Sequence, residues 1–216
     1  DEMKTIDDVD HTYHLIDSID KAKEFSEKLK KEKSFCFDTE TTGLDANNSE
    51  LVGISFSIKA HEAWYVAVPE KYNEALKFTS VFKPIMEDEK IEKIGQNLKY
   101  DISVLKWYDI DVKGKLFDTM LAHYLLQPDL RHNMDYLAET YLNYKPVSIE
   151  SLIGKKGKNQ LSMRDIEIEK VKEYAAEDAD ITLQLKEVFE PMLKDDLTQK
   201  LFNEIETPLI PVLASM

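Results

Sequence analysis

Asp178 stands in an apolar helical stripe, where an unpartnered carboxylate is costly. Stepped at 100° per residue over 163–190, a helix places Val171, Tyr174, Ala175, Asp178, Thr182, Leu185 and Phe189 on one side and sends Glu177 and Asp180 elsewhere. Burying an ionised carboxylate alone costs several kcal/mol, so either a cation meets Asp178 or the helix reading fails. Tyr174, one turn earlier on the same face, completes a Tyr-x-x-x-Asp pair aimed at the core. Upstream, the short β-prone run Ser34-Phe35-Cys36-Phe37 leads into Asp38-Thr39-Glu40. Alternation along a strand puts Asp38 and Glu40 on one face, where two carboxylates repel unless a cation or a shared proton relieves them. Asp101 lies at the edge of a helix whose buried stripe is Leu98, Ile102 and Leu105. Oxygen-only donors of this kind suit a hard divalent cation such as Mg²⁺ or Mn²⁺.

The elements that must position these groups can be read from the chain. Tyr13–Ile16 reads as a strand and 19–29 as an amphipathic helix. After the Asp38 strand, the runs 51–58 and 63–68, joined by a four-residue connection, predict an antiparallel hairpin. One helix is expected over 73–87, its end blurred by Pro84, then a strand at 91–94, the Asp101 helix and a short strand at Leu116-Phe117. Asp118 caps a helix that runs to Leu126 and stops before Pro128. Met134, Leu137, Ala138, Tyr141 and Leu142 form another helical face, and the Asp178 helix closes the unit. Strands in a meander followed by strands alternating with helices predict a mixed α/β sheet. Beyond Pro191, Leu201, Ile205, Leu209, Val212 and Leu213 follow helical spacing; 1–192 then reads as one domain and 193–216 as the helical start of another.

Composition narrows the function classes. With 28 basic against 42 acidic residues the net charge is −14, which argues against a high-affinity duplex binder but is compatible with an enzyme that meets a single-strand end through metal ions and local basic groups. The single cysteine, Cys36, cannot form an internal disulfide and reads as a core residue. No signal peptide or membrane-length apolar run is evident, so a cytoplasmic location without a membrane partner is expected. Gly154-Lys155-Lys156-Gly157-Lys158-Asn159 lacks the spacer and the Ser/Thr of a nucleotide-binding P-loop and reads either as a flexible basic loop beside a nucleic-acid path or as an ordinary solvated turn. The five histidines show no ligand spacing; His132 is expected to be structural.

The motifs carry a specific resemblance. The stretch from Phe35 through Asp38-Thr39-Glu40 to Leu44 resembles the first motif of the DEDD 3′–5′ exonucleases, Gly95–Asp101 the second, and Tyr174–Asp180 the third in its tyrosine form. Phe117–Leu121, Arg131–Asp135 and Gly157–Leu161 further resemble the proofreading branch found in bacterial DNA polymerase I. The histidine branch would place its base at Glu173, which favours the tyrosine branch. The resemblance implies a ribonuclease H-like fold and two-metal hydrolysis of 3′-terminal nucleotides from a single-stranded DNA end. It implies a polymerase domain in the same full-length chain. It also implies two divalent ions, Mg²⁺ or Mn²⁺ with Zn²⁺ admissible at one site, one held by Asp38, Glu40 and Asp178 and the other by Asp38 and Asp101. Tyr174 and Glu40 would orient the attacking water. Leu44 would wedge beside the terminal base, Thr39, Gln96, Asn97 and Tyr100 would contact the terminal nucleotides, and Arg131 would meet a phosphate. The aromatic residue that the family often carries near Ile149-Glu150 is missing here. A ribonuclease D-like exoribonuclease shares the same motifs, and a silent scaffold domain would have lost carboxylates that this chain retains.

Overall fold

In the computed structural model, which describes residues 3–216 (with the side chain of Asp196 left aside), six strands form one sheet in the order β1-β4-β3-β2-β5-β6. In chain order the elements are β1 (Thr12–Ile16), α1 (Ile19–Leu29), β2 (Ser34–Thr41), β3 (Leu51–Lys59), β4 (Glu62–Ala67), α2 (Tyr72–Ser80), α3 (Lys83–Met86), β5 (Glu92–Gly95) and α4 (Leu98–Lys106). Then follow β6 (Leu116–Asp118), α5 (Thr119–Leu126), α6 (Met134–Leu142), α7 (Ile149–Ile153), α8 (Ile168–Phe189), α9 (Asp196–Leu201) and α10 (Thr207–Ser215). The β2-β3 and β3-β4 pairs are antiparallel; β1-β4, β2-β5 and β5-β6 are parallel. The mixed α/β sheet is therefore the predicted one, with the expected β3-β4 hairpin between β1 and β2.

Alternation along β2 sorts the core. Phe35 and Phe37 join Ile54, Phe56 and Trp64 in a cluster that includes Phe25 of α1, Ala75 of α2 and Leu98, Ile102 and Leu105 of α4. Cys36 faces the other way, among Ile94, Phe117 and the residues Ile181, Leu185 and Phe189 of α8. Continuing that alternation sends Asp38 and Glu40 to the α8 side and Thr39 to the α4 side. The register shifts after Glu40, so the ladder is interrupted where the carboxylates end. Gly53, opposite Glu40, is needed for close approach: a Cβ there would lie 2.2 Å from the Tyr65 ring.

Three local expectations are corrected, and one helix had not been read. The helix read over 163–190 is a 3₁₀ turn, Met163–Asp165, followed by α8, and Ile166 adopts an extended backbone between them. The helix read over 73–87 is two, because Pro84 has no N–H to donate and sits in the first turn of a new helix, α3. The segment Ile149–Ile153, with Ser148 capping Glu150 N–H, forms the short helix α7, too short to show a periodic stripe. In the C-terminal segment, the spaced apolar residues Ile205, Leu209, Val212 and Leu213 are exposed, while Phe202, Thr207 and Ile210 are buried. A stretch of π-helix at Phe202–Glu206 rotates the face that the 3.6-residue period had selected. No described helix is long and apolar enough to cross a membrane.

Candidate active site

Three carboxylates converge. Asp38 and Glu40 from β2 and Asp178 from α8 each offer an oxygen, and these oxygens all lie within 4.8 Å of one another. Asp38 is half-buried; Glu40 and Asp178 are buried. Asp101 stands behind this trio on α4. Contrary to the reading of a helix-edge position, it is buried, because Thr39 on the far face of β2 reaches it: the Thr39 backbone N–H donates to Asp101 Oδ1 at 3.0 Å and its hydroxyl donates at 2.6 Å.

The electrostatics are those of buried, mutually repelling acids. Burial, then repulsion from Asp178, pushes the Asp38 carboxyl well above the usual carboxylate range. Burial raises Glu40 first, followed by Asp38 and Asp101; burial raises Asp178 first, followed by Glu40; burial raises Asp101 first, followed by Asp38. Among the described residues none of the four forms an ion pair with a lysine, arginine or histidine. An all-oxygen, uncompensated donor set fits a hard divalent cation. Burial and then Asp178 raise the Tyr174 hydroxyl far above its normal range, so it remains a protonated donor beside Asp178.

The trio opens into a cavity of about 440 Å³. Thr39, Leu44, Tyr100 and Tyr174 share its lining with the carboxylates, and a second wall comes from Ile149, Ile153, Lys156 and the stretch Gln160–Met163. Leu44 is 87 % exposed, which removes it from the core and leaves it as an apolar projection at the cavity. Its turn is fixed by Tyr100, whose hydroxyl donates to the Gly43 carbonyl at 2.7 Å and bonds Thr41 Oγ1 at 2.6 Å. Gln96, Asn97 and Arg131 do not line this cavity. The Gln96 amide is consumed internally, donating to the His132 carbonyl at 2.7 Å and accepting from the Thr119 hydroxyl. Asn97 is exposed, with a left-handed backbone (φ 58°), on a neighbouring groove that also includes Lys99 and Tyr100. Arg131 is exposed on the connection between α5 and α6.

Several features escaped the sequence reading. Glu177 and Asp180 do point away from Asp178, yet both are buried. Glu177 accepts from the Tyr144 hydroxyl and from Val147 N–H at 2.8 Å; Asp180 accepts from the Tyr13 hydroxyl at 2.7 Å and from His61 N–H and Gln184 Nε2 at 2.8 Å. The run of Ala175, Ala176 and Ala179 was the available signal, since small residues all round a helix mark close approach on every side. Arg164 was also missed. Its guanidinium donates to the Val68 and Leu51 carbonyls at 2.7 Å each and so ties the second cavity wall to the ends of β3 and β4. His132 is structural, its Nδ1 lying 2.7 Å from His123 Nδ1 while His123 Nε2 bonds Tyr141.

Comparison with known proteins agrees with this geometry. The sequence profile of a 3′–5′ exonuclease family matches residues 13–194. The chain is 41 % identical over 197 residues to DNA polymerase I of Pseudomonas aeruginosa, covering 87 % of this chain and 22 % of that one. It is 35 % identical over 219 residues to DNA polymerase I of Borreliella burgdorferi, covering 100 % of this chain and 24 % of that one. It thus spans about a quarter or less of those relatives. In three dimensions it is similar to Brucella melitensis NrnC with bound Mg²⁺ (TM-score 0.69, 20 % identity, 99 % of this chain and 92 % of that one). It is also similar to the catalytic core of RRP6 from Trypanosoma brucei (TM-score 0.73, 15 % identity, 94 % and 55 %). At these identities the likeness shows the shared ribonuclease H-like fold.

Proposed function

We propose, from the premise that the chain belongs to the 3′–5′ exonuclease family represented in bacterial DNA polymerase I, that it removes 3′-terminal nucleotides from single-stranded DNA. The observation that carries the reading is the convergence of Asp38, Glu40 and Asp178 on one cavity with Asp101 hydrogen-bonded behind them. Asp38, Glu40 and Asp178 would hold one divalent ion, Mg²⁺ or Mn²⁺, and Asp38 with Asp101 a second. Bound there, the ions would supply an acidified water and neutralise charge on the scissile phosphate.

The side chains do the remaining work. Tyr174, held protonated, donates to and orients the attacking water; it does not act as the base. Glu40, in the same cluster, would orient that water together with Tyr174. Leu44 meets the terminal base with an apolar surface, and Tyr100 holds the Leu44 turn. Asn97 and Arg131 lie off the cavity and suit the strand beyond the terminal nucleotide. Gln96 braces the His132 segment. We assign 1–192 to the exonuclease unit and 193–216 to a helical lead toward the polymerase region of a longer cytoplasmic chain, a lead whose Phe202 and Ile210 pack into the cores of the exonuclease unit. The exposed Leu197, Ile205, Leu209, Val212 and Met216 suit a contact with that region.

The test is a 5′-labelled single strand with Mg²⁺. Stepwise shortening, slower on paired 3′ ends and abolished by EDTA, is expected. Activity in excess chelator, or shortening from the 5′ end, overturns the reading. Matched DNA and RNA strands separate it from a ribonuclease D-like activity.

A further inference from the structure

Among the described residues, the cavity that carries the three clustered carboxylates has one basic side chain in its lining, Lys156. The neighbouring Lys155 and Lys158 are outside it. The loop is built to stand clear of the body. Gly154 has φ +85° and Gly157 φ +158°, and a Cβ added at either would meet nothing within 4 Å. The loop is closed at its base where Leu161 N–H donates to the Ile153 carbonyl at 2.9 Å and Gln160 Nε2 donates to the Gly154 carbonyl at 3.3 Å. Behind it, Arg164 pins the wall to the sheet. Lys156 is exposed and takes part in none of the ion pairs formed among the described residues.

The substrate of the proposed reaction carries one phosphate per nucleotide. The scissile phosphate lies beside the carboxylates, where cations balance it. Every other phosphate of the strand approaches a protein of net charge −14 without that help. We infer that Lys156 binds a non-scissile phosphodiester of the single strand, so that the site favours strands of two or more phosphates over a lone terminal nucleotide. This assignment rests on the exonuclease reading and deepens it, adding a preference for polyanionic substrates. Lysine suits the role as a point charge on a long, flexible stem.

The experiment compares two substrates in Mg²⁺. One is a single-stranded oligothymidylate. The other is thymidine 5′-(p-nitrophenyl phosphate), which offers a 3′-terminal nucleotide with the scissile phosphate alone and releases p-nitrophenol when cleaved. Lys156→Gln should raise KM for the oligonucleotide about tenfold, with kcat within about twofold, and leave both constants for the nitrophenyl ester unchanged. The dependence of log(kcat/KM) on log[NaCl] for the oligonucleotide should flatten by about 0.7, the share of one phosphate contact on a single strand. Lys156→Arg should restore most of the KM. An unchanged oligonucleotide KM and salt slope, or an equal loss on the nitrophenyl ester, overturns the assignment while the exonuclease reading stands. If the unaltered protein cleaves neither substrate, the exonuclease reading fails and the assignment falls with it.

Discussion

Asp178 and Tyr174 stand one helical turn apart on α8 and line the same cavity, yet substitution should separate them. Asp178→Asn removes a negative charge without opening a void. It deprives the cluster of one oxygen anion, and turnover should fall by several orders of magnitude, on the order of 10³ or more, equivalent to roughly 4 kcal/mol. Without metal the same variant should unfold at a higher temperature, because burial and Glu40 work against the carboxylate. Tyr174→Phe keeps the ring packing and loses only the donor. Its turnover should drop about 10–100-fold, roughly 1.4–2.7 kcal/mol, with metal affinity intact. Rates at saturating Mg²⁺ together with metal titrations decide between them; equal losses with equal metal binding would refute this division. At this scale the sequence was informative about Asp178, whose apolar neighbours left its charge unexplained. It was uninformative about the burial of Asp101, because the hydroxyl that draws it inward belongs to Thr39, 62 positions away.

Asp118 joins two elements that the site depends on. Its carboxylate accepts from Met120 and Leu121 N–H, capping α5 as expected, and also from Asn97 and Leu98 N–H at the start of α4. Four backbone donors on one buried carboxylate explain why Asn97 is held in a left-handed conformation. Asp118→Ala strands those donors at both helix ends and should cost about 2–4 kcal/mol, read as a lower urea midpoint at unchanged slope. Activity should fall as well, since α4 carries Asp101. Lys93 on β5 offers a second element-scale test. It is fully buried, donating to the Asp88 and Lys113 carbonyls, and burial lowers its ammonium to about 8 from 10.5. Between those values the unfolded chain keeps the proton that the fold has lost, so this residue makes stability rise with pH from about 8 to 10.5. The rise should be on the order of 3 kcal/mol and absent in Lys93→Met. Element types and order were legible because β2–β4 are short apolar, β-prone runs bounded by turns and α1 and α4 bury periodic faces. What was not legible depended on contacts beyond the window: the π-turn at Phe202 that reorients α10, and the partners of Glu177 and Asp180, which Tyr144, Val147, Tyr13 and His61 supply from distant parts of the chain.

For the whole molecule, charge and metal act together. A net charge of −14 already favours binding of cations, but the buried cluster makes the effect local and titratable. Asp38, Glu40, Asp101 and Asp178 all have carboxyls raised well above their ordinary values of 3.8 and 4.5. In the metal-free protein the fold therefore holds more protons than the unfolded chain once pH exceeds about 4, and stability must fall as pH rises through the folded-state values. A divalent cation competes with those protons and binds more tightly as they leave. At a metal concentration of 100 times Kd the gain is about 2.7 kcal/mol, or roughly 5–10 °C in Tm for a domain of this size. Melting curves in EDTA and in Mg²⁺ between pH 5 and 8 should show a gap that is small at pH 5 and widens steadily. Asp178→Asn should shrink the gap and lessen its growth with pH, whereas Tyr174→Phe should leave both nearly as they are. Surface repulsion alone cannot imitate this pattern, because it is present in every variant and responds to NaCl as well as to Mg²⁺. A gap that is constant with pH, or one reproduced by NaCl at equal ionic strength, would show that the carboxylate cluster is not where the cation acts.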